Sequence, residues 1–373
     1  MSNTHYLCVM SFFRSVRPFI VAGPCSAETR EQVLTTAAAL AGMNVQLMRA
    51  GVWKPRTKPG SFEGNGVPAL EWLQEAKKTY GLPVSIEVAE TTHVELALQH
   101  GIDVLWIGAR TTVNPFQVQR LADALKGVNI PVMVKNPVNP DVDLWEGAIE
   151  RIMKAGITDV AAIHRGFSGY STAGGYRNQP NWPIPIELKR RKPELCIICD
   201  PSHITGNKNR IAELSQKALD MHLDGLMIET HPNPDAAWSD AAQQVTPTQL
   251  KTILAGLVIR EEHTHCMNGQ EQLEDLRQTM DSMDAEIVDL IARRMELSGK
   301  IGAVKLANNM TVYQPARWRE IVATRGQRGE MQGLTKEFVV SVYEKIHQES
   351  IRIQLGDTTA ESIDAQGEVK ATE

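Results

Sequence analysis

Eight short apolar runs, each ending at a polar or charged residue, recur between residues 19 and 229 of this chain of 373 residues. Segments with the apolar spacing of helices separate the runs, among them 30–41, 68–80, 115–125, 144–155 and 209–222. A strand followed by a helix, repeated eight times, predicts an α/β fold of the (β/α)8 or TIM barrel class. The predicted strands are 19–21, 45–48, 84–86, 104–107, 132–134, 160–163, 196–199 and 226–228.

Cations follow several of these strands. In a TIM barrel the loops after the strands open on one face, so the residues in them should converge there. A cluster of cations repels itself unless it binds anions, and the arginine fork suits phosphate. We therefore predict a site for phosphorylated substrates, formed by Arg49, Lys54, Arg56, Arg110, Lys135 and Arg165.

A second group of strand-end residues has the chemistry of metal ligands. Cys25, His203, Glu229 and Asp240 lie after the first, seventh and eighth strands. A thiolate, an imidazole and two carboxylates suit manganese, iron, cobalt or zinc better than magnesium or calcium. Each residue taken singly has a structural explanation, such as core packing for Cys25, so spacing alone leaves the metal open.

Composition narrows the function classes. With 39 Lys and Arg against 44 Asp and Glu, the net charge of -5 gives no global field for nucleic acid or anionic membranes. Five cysteines and no signal peptide indicate a reducing, cytoplasmic location rather than a disulfide framework. Cys196 and Cys199 lie three apart on one strand and should face opposite sides, as core residues rather than a redox pair.

The strand and helix alternation stops near Val258, which divides the chain. We assign residues 1–258 to the barrel, 259–269 to a linker, 270–356 to a helical domain and 357–373 to a disordered polar tail. Residues 271–309 predict one long helix whose apolar spacing alternates between four and three. We expect the second helix to run from Pro315 to about Gly326 and the third from Thr335 to about Gln354.

The long helix cannot bury its apolar stripe alone, which predicts a homodimer through the helical domain, possibly within a larger assembly. Arg294 lies on this stripe, where a guanidinium needs an anion. An internal acid or a snorkelling side chain would satisfy it, but Lys305 and Arg277 on the same helix favour a bound polyanion.

Six short motifs together resemble those of type I 3-deoxy-D-arabino-heptulosonate 7-phosphate (DAHP) synthases, over residues 18–257. They are Gly23-Pro24-Cys25-Ser26, Met48-Arg49, Lys54-Pro55-Arg56-Thr57, Ile107-Gly108-Ala109-Arg110, Asp200-Pro201-Ser202-His203 and Glu229-Thr230-His231. The resemblance implies condensation of phosphoenolpyruvate with erythrose 4-phosphate, releasing phosphate. The related 3-deoxy-octulosonate 8-phosphate synthases, which take a five-carbon sugar, are the alternative; the Lys54-Pro55-Arg56-Thr57 run favours the four-carbon enzymes.

By this resemblance, Cys25, His203, Glu229 and Asp240 hold a divalent metal, with manganese preferred. The resemblance also implies that phosphoenolpyruvate is bound by Arg49, Arg110, Lys135 and Arg165. The phosphate of the aldose would be bound by Arg56 and Thr57, and Lys54 would lie between the two substrates. The aldehyde oxygen needs a Lewis acid as it gains charge, and water must add to carbon two. Glu87, Asp200 and a metal-bound water all stay open as the base, and we place both carboxylates among the substrate-contacting residues.

The helical part resembles the all-helical chorismate mutases over residues 271–354. This implies that chorismate is bound by Arg277 of the second protomer together with Arg294, Lys305, Arg317, Ser350 and Gln354. Arginines would hold its two carboxylates in the reactive conformer, while Lys305 and Gln354 stabilise the ether oxygen. Gln314 and Trp318 stand where acids are common in that family.

The combined prediction is a two-enzyme chain that makes DAHP and converts chorismate to prephenate. A helical domain that senses chorismate or prephenate without turnover is the alternative. Because the first strand begins soon after Met1, we expect no separate N-terminal regulatory domain. We therefore expect prephenate, bound to the helical domain, to inhibit the synthase.

Overall fold

The structure is a computed structural model that describes residues 11–54, 60, 62–169, 173–261 and 267–356, without the side chains of 173, 267 and 268. The chain forms two compact units, Met1–Arg260 and Glu261–Glu373. The division between them falls inside the segment that the sequence analysis assigns to a linker. Among the described helices, none combines the length and apolarity that a membrane crossing requires.

The first unit is a closed barrel of eight parallel strands that neighbour each other in chain order, which confirms the predicted (β/α)8 fold. Each strand lies where an apolar run predicts it, with ends shifted by no more than a few residues. The strands are β1 (Phe19–Gly23), β2 (Leu47–Arg49), β3 (Val84–Val88), β4 (Val104–Ile107), β5 (Val132–Lys135), β6 (Val160–His164), β7 (Cys196–Cys199) and β8 (Gly225–Glu229).

Helices surround the barrel, and a helix lies at each of the five segments predicted above. They are α1 (Arg30–Ala41), α2 (Val67–Tyr80), α3 (Thr91–Gln99), α4 (Ala109–Thr112), α5 (Pro115–Ala124), α6 (Val142–Lys154), α7 (Pro183–Arg191), α8 (Pro201–Thr205), α9 (Ile211–Asp220) and α10 (Pro247–Gly256). α9 begins two residues later than predicted, because Lys208–Arg210 forms a 3-10 turn. In this turn the amide of Asn209 donates a hydrogen bond to the side chain of Asn207.

The core of the barrel has two layers. Side chains that point inward from the strands, such as Trp106 and Met133, fill the barrel interior, and Phe13 and Phe19 are buried in the same cluster. The larger layer lies between the sheet and the surrounding helices. Cys196 belongs to the inner layer and Cys199 to the outer one, and neither forms a disulfide, as predicted.

In its described residues the second unit contains three helices: α11 (Met267–Ala307), α12 (Pro315–Met331) and α13 (Lys336–Leu355). Thr335 caps α13 by accepting a hydrogen bond from the amide of Phe338, as predicted. The predicted end of the second helix at Gly326 is wrong, since α12 continues to Met331. Gly326 and Gly329 serve close packing instead: a Cβ on Gly329 would lie 2.4 Å from Cγ2 of Val339.

Candidate active sites

The barrel places its polar side chains at the carboxyl ends of the strands. Arg49, Lys135 and Glu229 are the last residues of β2, β5 and β8, and Arg165 directly follows β6. Asp200 follows β7 and caps α8 by accepting a hydrogen bond from the amide of His203. Strand ends therefore fix most of the predicted site residues on one face of the barrel.

Three of the four predicted metal ligands converge. One ligand atom each from Cys25, Glu229 and Asp240 lies within 4.8 Å of the others. His203 stands beside this group, with Nε2 3.7 Å from Oε1 of Glu229 and Nδ1 2.7 Å from Oδ2 of Asp200. The contact with Asp200 orients the imidazole so that Nε2 faces the carboxylate, as supporting partners of metal-bound histidines do.

The chemistry of the donor set fits a divalent metal. Oε1 of Glu229 is buried and accepts no hydrogen bond among the described residues, although Nη2 of Arg49 lies 3.2 Å from it, so this carboxylate oxygen has the character of a ligand for a cation. Burial, followed by the charge of Glu229, raises the pKa of the Cys25 thiol to about 11, although Lys54 opposes this. A thiol of that pKa stays protonated at neutral pH, whereas a bound metal would hold it as thiolate.

Lys54 reaches into this cluster. Its Nζ lies 3.1 Å from the sulfur of Cys25, and that sulfur lies 3.3 Å from Oδ2 of Asp240. Gly51 makes the approach possible, because a Cβ there would lie 2.4 Å from Cε of Lys54 and 2.5 Å from the carbonyl oxygen of Cys25. The lysine therefore stands beside the candidate metal ligands.

Two buried cations flank Trp106. The guanidinium of Arg49 lies 5.0 Å from the indole centroid and Nζ of Lys135 lies 5.9 Å from it. Each cation also has a buried acid: Nη2 of Arg49 is 3.2 Å from Glu229, and Nζ of Lys135 is 3.0 Å from Asp200. The pKa of Asp200 lies well below its usual range, because the charges of His203 and Lys135 outweigh its burial.

Arg165 lies among like charges. Its Nη1 donates to Oδ1 of Asn178 at 2.9 Å. Burial is the main cause that lowers the pKa of Arg165 to about 10; Arg177 and Arg110 add to it, while Asp200 opposes them. The guanidinium remains charged at neutral pH, so an anion placed here would relieve both its desolvation and the repulsion. This crowding is what an anion-binding mouth requires.

In the helical unit the structure brings together four predicted residues in two pairs. Nη1 of Arg294 donates to Oγ of Ser350 at 2.6 Å, and Nζ of Lys305 donates to Oε1 of Gln354 at 3.0 Å. Gly302 allows this approach of α11 and α13, because a Cβ there would lie 3.0 Å from Cα of Gln354. Arg294 therefore lies beside Ser350 and Lys305 beside Gln354, one turn further along α13.

Arg294 is half-buried, and burial lowers its pKa. No carboxylate of the described residues pairs with it, so the internal acid that the sequence left open is absent from this part of the chain. Arg317 is exposed and pairs with Glu320 at 2.8 Å. Arg277 lies about 25 Å along the same helix from Arg294, too far to share one site within a protomer.

Comparison with known proteins agrees with this geometry. Residues 14–266 match the family model described as the DAHP synthetase I family. The chain belongs to that family. Residues 276–355, which lie within the helical unit, match the model of chorismate mutase type II. Both families are those that the sequence motifs resemble, and the predicted fusion of the two is confirmed.

Individual relatives support the barrel assignment. A phospho-2-dehydro-3-deoxyheptonate aldolase of Thermotoga maritima is 33% identical over 226 residues, which span 61% of this chain and 64% of that enzyme. A 2-dehydro-3-deoxyphosphooctonate aldolase of Francisella tularensis is 29% identical over 69% of this chain and 94% of its own length. A crystal structure of the Thermotoga DAHP synthase matches with a TM-score of 0.57 and 30% identity, covering 64% of this chain and 67% of that one.

The structure of this DAHP synthetase I family barrel shows further residues at the candidate metal site that the sequence does not predict. Nη1 of Arg177 contacts Oδ1 of Asp240 at 3.0 Å and Oε1 of Gln243 at 2.6 Å, and Gln243 donates to Oε2 of Glu229 at 2.6 Å. These residues hold two candidate ligands in place. Arg177 lies in a long loop after β6, where no periodicity signals it. The predicted phosphate-binding residues Arg56 and Thr57 lie outside the described residues.

Proposed function

We propose that the barrel condenses phosphoenolpyruvate with erythrose 4-phosphate to give DAHP and phosphate. The observation that supports this most is the juxtaposition of a metal-type donor set with a group of cations at one barrel mouth. Cys25, His203, Glu229 and Asp240 would hold the divalent metal, most simply manganese, with iron, cobalt and zinc as alternatives. When bound, such a metal would polarise the aldehyde oxygen of the four-carbon sugar.

The side chains of the barrel mouth then have separate tasks. Arg49, Lys135, Arg110 and Arg165 bind the carboxylate and phosphate of phosphoenolpyruvate, since all four are cations at or just beyond strand ends. Lys54, beside Cys25, donates to the aldehyde oxygen as carbon three attacks the aldehyde carbon. Fixing both substrates in line lowers the barrier by removing the entropy of their encounter.

The base for water addition is best assigned between two carboxylates. Asp200 is held by Lys135 and His203 and its pKa is well below the usual range, so it is a weak base that positions those two residues. Glu87 accepts a hydrogen bond of 3.2 Å from the indole of Trp106 and is half-buried. We therefore prefer Glu87, with a metal-bound water as the alternative.

A second candidate function of the barrel is the octulosonate reaction, in which phosphoenolpyruvate condenses with a five-carbon sugar phosphate. The Francisella relative, named as an octonate aldolase, matches along 94% of its length. Assaying the purified protein with phosphoenolpyruvate and either erythrose 4-phosphate or arabinose 5-phosphate separates the two. We expect turnover with the four-carbon sugar, abolished by EDTA and restored by Mn²⁺. Faster turnover with the five-carbon sugar would replace this proposal with the octulosonate reaction.

We propose that the helical unit converts chorismate to prephenate. This rearrangement is unimolecular and needs no acid or base, so fixed cations are sufficient catalytic groups. Arg294 and Arg317 would bind carboxylates, Ser350 would add a hydroxyl, and Lys305 with Gln354 would stabilise the ether oxygen as it gains charge. Chorismate loss with prephenate formation tests this directly; binding without turnover would make the helical unit a sensor.

We also propose that the mutase works as a homodimer. α11 is 41 residues long and its apolar stripe is exposed in the single chain, at Leu276, Met280, Met283, Ile287, Leu290 and Leu297. A second copy of α11 would cover the stripe and bring its own Arg277 to the site of Arg294. Light scattering should give at least twice the chain mass of 41.3 kDa; a monomer that is fully active as a mutase would contradict it.

The ligand of one activity is also able to regulate the other activity. Because both sites belong to one chain, a ligand that changes the conformation of the helical unit is able to alter the synthase. We propose that prephenate inhibits DAHP formation. Equal synthase rates with and without saturating prephenate would exclude it.

A further inference from the structure

A histidine of α13 is held against an aromatic ring of α12. The rings of His347 and Trp318 are nearly parallel, with centroids 4.2 Å apart and planes 9° from each other. Tyr313 contributes a tilted ring whose centroid is 6.0 Å away. His347 shares a helix face with Ser350 and Gln354, since it lies three and seven residues before them. The imidazole therefore belongs to the same site as Arg294 and Lys305.

One atom of this imidazole is unsatisfied. Nε2 of His347 is buried and has no hydrogen-bond partner within the part of the chain that the structure describes. A buried polar atom without a partner is costly, and in a binding site it indicates the position of a ligand group. Burial, followed by the positive charges of Arg294 and Lys305, lowers the pKa of His347. The ring is thus neutral at pH 7 and offers one donor and one acceptor nitrogen.

We propose that His347 recognises the ring hydroxyl of the mutase substrate through a hydrogen bond to Nε2. This inference rests on the proposed mutase function. Chorismate carries two carboxylates, an ether oxygen and one hydroxyl; the cations of the site account for all but the hydroxyl. Trp318 offers only an indole N–H donor, whereas Nε2 of His347 is buried beside it without a partner, so we assign the hydroxyl to this nitrogen.

The stack on Trp318 explains how the His347 side chain is held in one orientation for recognition of the hydroxyl. Contact with the indole fixes the plane of the imidazole, and burial together with the cations of α11 lowers the pKa of His347 and keeps the ring neutral. A preorganised hydrogen-bonding group rejects a substrate that lacks its partner, because the buried polar atom is then left unpaired. In this reading Trp318 is a positioning residue and His347 a specificity residue.

The test compares chorismate with a 4-deoxy analogue that lacks only the ring hydroxyl. We expect the wild-type protein to prefer chorismate by about tenfold in kcat/KM, the effect of one buried hydrogen bond. His347→Leu should lose about tenfold on chorismate and change less than about twofold on the analogue. His347→Gln, which keeps hydrogen-bonding atoms, should recover part of the preference. An unchanged Tm of the helical unit would show that each variant is folded, and unchanged synthase activity would show that the barrel is unaffected.

The outcomes separate the two proposals. Chorismate turnover by the wild type with an equal loss on both substrates in His347→Leu, or no hydroxyl preference in the wild type, would overturn the role of His347 and leave the mutase standing. Absence of chorismate turnover by the wild type would overturn the mutase function and this inference with it. Retained preference in His347→Leu would also reject the assignment.

Discussion

Arg49 and Glu229 form a buried ion pair between β2 and β8, with Nη2 and Oε1 3.2 Å apart and both side chains almost fully excluded from solvent. The indole of Trp106 covers the guanidinium of Arg49. Nη2 of Arg49 also lies 3.4 Å from the carbonyl oxygen of Cys25. Burial works against the charged form of each partner, but the charges of His203 and Arg49 lower the pKa of Glu229. Glu229, a candidate metal ligand, therefore holds in place Arg49, a candidate substrate-binding residue.

The pair predicts a stability cost when the acid is removed. In metal-free protein, Glu229→Ala leaves Arg49 buried with its main counter-charge deleted, and we expect the barrel to lose about 3 kcal/mol of unfolding free energy. Asp240→Ala is the matched control, since Asp240 pairs with the half-exposed Arg177 and should cost less than about 1 kcal/mol. Urea unfolding of EDTA-treated protein measures both; equal losses would show that burial of the pair is unimportant.

His164 predicts how the barrel responds to acid. It is fully buried, and burial with the charge of Arg165 lowers its pKa from 6.5 to about 3. The unfolded chain therefore binds a proton below pH 6.5 that the folded chain refuses, and folding stability falls as pH drops through that window. Between pH 7 and 4.5 this one group should remove about 2.5 kcal/mol.

The measurement is the difference between wild type and His164→Leu across that pH range, because the effects of other acids cancel in it. The variant should lose less stability on acidification than the wild type. Parallel curves for the two proteins would mean that His164 takes up its proton without unfolding the barrel.

Much of this molecule follows from its sequence. Alternation of apolar runs with helical segments predicts all eight strands, since a parallel strand buried on both faces must be continuously apolar. Strand ends likewise locate Arg49, Lys135, Asp200 and Glu229, because the barrel brings those ends together.

Other features depend on contacts between residues far apart in the chain. Arg177 reaches Asp240 from a loop whose path no local pattern encodes, and the stack of His347 on Trp318 depends on how α12 meets α13. The predicted end of α12 at Gly326 is wrong for a related reason. Gly326 has the local character of a helix stop, yet close approach of Lys336 gives glycine a packing role there.

The glycines of α12 give a prediction of their own. Gly329→Ala would put a Cβ 2.4 Å from Val339, so we expect the α12 and α13 pair to lose about 1–3 kcal/mol. Gly299→Ala is the control in the same unit: its Cβ would meet Ile353 at an ordinary 3.6 Å, and helix propensity should stabilise it by up to about 1 kcal/mol. Hydrogen exchange of the α12 and α13 amides reports both, and faster exchange in Gly299→Ala than in Gly329→Ala would contradict the packing argument.

The proposed functions require two separate catalytic sites on one chain. Parallel assays of DAHP formation and chorismate loss in the wild type, Cys25→Ala and Arg294→Ala test this most directly. We predict both activities in the wild type, loss of only the synthase in Cys25→Ala, and loss of only the mutase, by at least a hundredfold, in Arg294→Ala. Chorismate turnover that survives in Arg294→Ala, or DAHP formation that survives in Cys25→Ala, would show that the corresponding site has been misplaced.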